Sequence, residues 1–98
     1  MNICIVSTTI MTHPPKGYSG LEMLAWQQAE GLSKLGHKVL LVAPHGSTVP
    51  VGVELHGTTI GEPEYNAWTG YRNRLTNFDV IIDNSWQKYS YISKIKDG

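Results

Sequence analysis

The sequence predicts an α/β fold of three layers, α/β/α, built on a small, mostly parallel sheet of about four strands. Three observations carry that expectation. Short apolar runs without polar alternation recur at Ile3 to Ser7, Lys38 to Ala43 and Phe78 to Asp83, the pattern of strands buried on both faces. An amphipathic stretch lies between the first two of them. Glycine and proline punctuate the joints, as at Pro14-Pro15, Gly17, Gly20 and Gly36.

Ile3-Cys4-Ile5-Val6-Ser7 is the first strand. The proline pair that follows cannot continue a ladder and stiffens the loop before Gly17. From Gly20 onward Leu21, Leu24, Ala25, Leu32 and Leu35 recur at helical spacing, with Glu22, Glu30 and Lys34 elsewhere around the turn. Burial of the four leucines is expected to hold this helix on the sheet, and Gly36 supplies its stop. Gln28 is the polar exception on the packed side, placed either to bond a neighbouring loop or to lie at the margin of the stripe.

Lys38 to Ala43 forms the second strand, ended by Pro44. Strand, helix and strand make a right-handed βαβ unit, which sets the Gly17 turn at the carboxyl edge of the sheet, where open α/β sheets bind ligands. Val51, Val53 and Leu55 alternate with Gly52 and Glu54 and predict a half-exposed border strand, of direction left open because the link before it is too short for a crossover helix. Tyr65, Trp68, Arg72 and Leu75 predict a helix over Glu64 to Leu75, weakened by Gly70. After the strand Phe78 to Asp83, Trp86, Tyr89, Ile92 and Ile95 step through a last helical segment.

Ninety-eight residues suffice for one domain and one core. Eight basic and eight acidic side chains leave no net charge, which argues against a general nucleic-acid or membrane-surface binder. Cys4, the only cysteine, has no disulfide partner and falls in a buried strand, so an inert thiol in a reduced, cytoplasmic setting is expected. The start of the chain lacks the pattern of a signal peptide, and no apolar run has the length of a transmembrane segment.

The chemistry converges on Pro14-Pro15-Lys16-Gly17-Tyr18-Ser19-Gly20-Leu21-Glu22. Gly17 and Gly20 permit close approach of a ligand to the N-terminus of the helix, whose amide groups and dipole attract an anion such as phosphate. Ser19 and Glu22 also have the spacing of a capping box, which would satisfy backbone donors with no ligand at all. Gly17-x-x-Gly20 followed by Ala43-Pro44-His45 lacks both parts of a dinucleotide fingerprint, and no Gly-Lys pair exists to form a Walker loop. His13, His37, His45 and His56 are too dispersed for zinc; neither metal nor cofactor is expected. His13 and His45 fall near the ligand rim, where an ordinary hydrogen-bonded role is favoured over catalysis. Tyr65, Trp68 and Tyr71 with Arg72 and Arg74 read as a half-buried helix with a solvated edge in preference to a stacking face for sugars or bases.

Gly17-Tyr18-Ser19-Gly20-Leu21-Glu22, the run Ala29 to Val39, Leu41 to Pro44, and Phe78 to Trp86 together resemble the amino-terminal half of family-4 retaining glycosyltransferases. That resemblance implies a GT-B enzyme in which residues 1–98 are a partial amino-terminal Rossmann-like domain. It implies a nucleotide sugar donor, an unknown acceptor and a missing carboxy-terminal domain or partner chain. Carried over by position, Gly17, Tyr18, Ser19 and Gly20 would approach the donor diphosphate, while Asn84 would hydrogen-bond a hydroxyl without serving as a proton carrier. The chain alone would be catalytically silent. Two other readings stand beside it: a stand-alone module binding a phosphate or a sugar without turnover, and a structural subunit that completes a partner's sheet.

Overall fold

The computed structural model describes residues 1–14 and 20–85. In chain order these form β1 (Asn2–Val6), α1 (Gly20–Lys34), β2 (Lys38–Pro44), β3 (Val53–Thr58), α2 (Glu64–Tyr71), a 3₁₀ turn (Arg72–Asn77) and β4 (Val80–Asp83). The strands make one sheet in the order β3-β2-β1-β4, and every pairing is parallel. Ile5 stands opposite both Leu41 and Ile82, which fixes the central register. The expected Rossmann-like α/β/α architecture is the one found. The final helical segment expected from Trp86 lies outside the described residues.

Alternation along the strands sorts the core into two layers. Ile3, Ile5, Val39, Leu41, Ala43 and Val53 face α1 through Ala25 and Ala29. Cys4, Val6, Leu40 and Val42 face Ala67 and Tyr71 of α2, together with Leu75. Ile5, Leu40, Leu41 and Val42 are buried almost completely, each contributing roughly 1.5 to 3 kcal/mol of transfer free energy before conformational entropy is set against it. Cys4 is fully covered, and burial pushes its thiol up to about 12.

The stripe that holds α1 differs from the leucine stripe predicted. Leu24 is 44% and Leu35 75% exposed, whereas Ala25 and Ala29 are fully buried, with Trp26 and Leu32 packed at their flanks. Small residues at the line of contact bring the helix axis close to the sheet, so the larger side chains lie to either side. Gly36 ends the helix as expected, at φ +93°. The His37 N–H donates to the Leu32 carbonyl and the Gly36 N–H to that of Ser33, completing a Schellman motif.

The border strand begins later than predicted, at Val53, and it is parallel. Parallel neighbours need the chain to travel back along the sheet, and here residues 45–52 do so without a helix. They form a strap over the α1 face. The Trp26 indole N–H donates to the Thr48 carbonyl at 2.8 Å, the Ser33 hydroxyl donates to the Val51 carbonyl at 2.9 Å, and Val49 packs against the α1-side core. The predicted helix over Glu64 to Leu75 is α-helical only to Tyr71 and then tightens into the 3₁₀ turn.

Candidate functional site

The connection from β1 through α1 leads to β2 on one side, while that from β3 through α2 leads to β4 on the other. The strand order therefore reverses at β1, which makes the carboxyl ends of β1 and β4 the switch point of the sheet; the two strands stay paired there, Val6 standing opposite Asp83. Such switch points are where open α/β sheets hold ligands. Ser7, Thr8 and Thr9 follow β1 at this edge, Asp83 ends β4 and Asn84 and Ser85 follow it, and Gly20 opens α1.

The polar side chains gathered here are buried and bonded. The Thr8 hydroxyl, 1% exposed, donates to the Glu22 carboxylate, so a residue in the first turn of α1 is tied to the end of β1. Asp83 accepts from the Ser85 N–H at 2.8 Å and from the Ser85 hydroxyl, a local turn that fixes the exit from β4. The Asn84 side-chain amide donates to the Gln28 side-chain oxygen Oε1 at 2.8 Å, and the Asn84 backbone N–H continues the ladder to Val6. Gln28 thus bonds a neighbouring loop, one of the two roles expected of it. Thr9 donates to the Glu62 carbonyl at 2.7 Å and joins the turn before α2.

His13 lies behind this wall. Its Nε2 is 2.6 Å from the Ser7 hydroxyl and its Nδ1 3.0 Å from the Met11 carbonyl. Burial holds the ring's pKa below the ordinary histidine value, against the opposing pull of the Met11 carbonyl and Glu22. His45, by contrast, is exposed, with its ring over Gly57. An ideal Cβ on Gly57 would lie 2.1 Å from His45 Nδ1. Tyr71 of the half-buried helix is turned inward, where burial and then Asp83 raise its pKa, while Tyr65 is exposed. Arg72 instead lies over the Trp68 ring at 5.1 Å, and Arg74 reaches back to Glu54 and His56.

Of the residues singled out from the sequence, Gly17, Tyr18 and Ser19 lie outside the described residues. Gly20 is the exposed first residue of α1 at the carboxyl edge, and half-buried Asn84 follows β4 at the same edge. Ser7, Thr8, Gln28 and Asp83 join that edge without having been assigned to a site; the signal for them was their position at strand ends, which the βαβ order makes legible. Among the described residues no group of three histidine, cysteine or acidic side chains could hold a metal. Grooves of about 400 Å³, between Glu30, Ser33, Lys34 and Val51, and of about 170 Å³, beside Asn2 and Phe78, lie away from this edge. Neither gathers the buried polar groups found at the switch point.

No family model matches the sequence, and no curated protein matches it. The chain does superpose on the crystal structure of the C-terminal domain of the coenzyme A biosynthesis bifunctional protein CoaBC. The TM-score is 0.61 and the identity 20%, over 85% of this chain and 43% of that one. The likeness is one of fold. It also corrects the kinship drawn from the glycine turn, since the structure resembled is a domain of a coenzyme A biosynthesis protein and not a glycosyltransferase. The GT-B architecture, hexosyl transfer, the nucleotide sugar donor and its acceptor fall with that resemblance. The physical reason is that a strand, a glycine-marked turn and a helix recur wherever a parallel sheet presents a helix N-terminus, whatever the chemistry. Among the described residues no helix is long and apolar enough to cross a membrane.

Proposed function

We propose that this chain is a Rossmann-like ligand-binding module without turnover of its own, which holds a small phosphate- or sugar-bearing molecule at the switch point between β1 and β4. The observation that carries this reading is the reversal of strand order at β1, with hydroxyl and amide side chains from β1, α1 and β4 meeting at the carboxyl edge. In this reading the α1 N-terminus and residues Gly17, Tyr18, Ser19 and Gly20 receive the anionic end of the ligand, and Asn84 receives a hydroxyl.

Electrostatics supports the division of labour. Glu22, in the first turn of α1, and Asp83 are the buried carboxylates of this edge and oppose an anion, so the attraction falls to the backbone amides and helix dipole at the tip of α1, while donor groups of the ligand suit the Asp83 side. The chain spans less than half of the solved structure it resembles, which supports its being one portion of a larger binding unit. Its lone buried thiol suits a reducing, cytoplasmic setting.

The test is titration of the isotope-labelled chain with inorganic phosphate, a nucleoside diphosphate and a free hexose, followed through backbone amide shifts. The phosphate-bearing probes are expected to move Gly20 and Leu21, and a hydroxyl-rich probe to move Asn84. Saturation with all three probes that leaves these amides unmoved overturns the assignment.

A further inference from the structure

The backbone hydrogen bonds that fasten the loop after β1 to the strap of residues 45–52 both fall on one residue, His13. His13 is 2% exposed, and its two ring nitrogens have different tasks. A carbonyl only accepts, so Nδ1 carries the hydrogen that meets the Met11 oxygen. Nε2 is then bare and accepts the Ser7 O–H, which defines a neutral ring. The backbone of the same residue clasps the strap: its N–H donates to the Ser47 hydroxyl at 2.9 Å, and its carbonyl accepts the Thr48 N–H at 2.8 Å. An enclosed titratable ring and an external backbone clasp thus share one Cα.

We propose that His13 is an acid-released latch: proton uptake on its ring frees the loop of residues 8–14 from the strap of residues 45–52. A proton on Nε2 turns that atom from acceptor to donor, and the Ser7 hydroxyl must rotate its own hydrogen away. Ser7 is 4% exposed, so the displaced hydrogen finds no bulk water. Among the groups facing the ring, Glu22 on α1 attracts the new charge, whereas Ser7 at the end of β1 and Ser47 and Thr48 on the strap are uncharged. Desolvation outweighs the pull of Glu22 and of the Met11 carbonyl. The charged ring gains water by leaving its recess, and its backbone goes with it. This device is independent of what the switch point binds.

Hydrogen exchange tests it. Protection of the Thr48 amide, corrected for the intrinsic rate, is compared at about pH 7.5 and about pH 5 with that of Leu41 in the middle of β2. Thr48 is expected to lose roughly tenfold or more of its protection beyond any loss at Leu41, which follows global stability alone. In His13→Gln, which retains a hydrogen-bonding group and removes the titration, the difference between the two pH values disappears. Constant Thr48 protection in the wild type overturns the proposal, as does a loss shared equally by Leu41. Should His13→Gln fail to fold, the ring's own NMR titration in the wild type replaces it. A ring midpoint that coincides with the Thr48 midpoint supports the latch, and one displaced from it overturns it.

Discussion

The two edges of the sheet are held by different kinds of polar contact. At the amino edge the partners are exposed: the Asn2 N–H donates to Asp79, the Met1 amino group approaches His37, and Arg74 meets Glu54 at 2.8 Å on the neighbouring surface. Water competes for every one of these groups, and salt screens them. At the carboxyl edge Thr8 meets Glu22, Ser7 meets His13 and Ser85 meets Asp83, all within a few per cent of complete burial. Polar groups withdrawn from water lower stability unless each is bonded, so a fold that gathers them at one edge is arranged there for something besides holding together.

That contrast is broken or sharpened by a short series of changes. The largest effect is expected from Asp83→Ala, which leaves the Ser85 N–H and hydroxyl without their buried acceptor. It should cost about 1 to 3 kcal/mol in urea unfolding, and a loss no greater than that of an exposed pair would erase the distinction between the edges. Gly52→Ala comes next. Its φ of +84° disfavours a side chain, and the new Cβ would lie 2.7 Å from the Ser33 hydroxyl that fastens the strap at Val51. A loss of about 1 kcal/mol or more is expected, read from the same unfolding curves.

Acidity addresses the carboxyl edge directly. The native His13 has a pKa below its ordinary 6.5, chiefly through burial, and half-buried His56 is shifted the same way by burial and by Arg74. Above 6.5 both are neutral, folded or unfolded. As the pH falls below that value the unfolded chain takes up protons first, so stability declines until the native pKa values are passed. Denaturation midpoints that stay level from about pH 7 to about pH 5 would contradict this. The smallest effect belongs to the amino side: Arg74→Ala should change stability by about 0 to 1 kcal/mol and be sensitive to salt. Gly20→Val is expected to leave the fold intact while weakening the shift of the Leu21 amide on phosphate addition.

The strands were legible in the sequence because their apolar runs have no other home than a doubly covered sheet, and Gly36 marked a stop that its positive φ bears out. The inward face of α1 was not, since leucines attract notice while Ala25 and Ala29 make the contact. The direction of β3 was hidden for a related reason. A strap stitched by Trp26 and Ser33 performs a crossover that pattern alone assigns to helices. At the site, position at strand ends could be read, whereas the pairing of Thr8 with Glu22 and of Asn84 with Gln28 joins residues whose separation in sequence gives no hint of contact. The turn around Gly17 was legible as a local shape, and local shape is shared by unrelated families.

The strap also orders events in time. Val39 meets Val53 after a short excursion of chain, but Ile3 must wait for Val80 at the far end of the described sequence. Closing the longer loop costs more entropy and is slower, so the β1–β4 seam, at the switch point itself, is expected to be the last part of the sheet to zip and the first to fray.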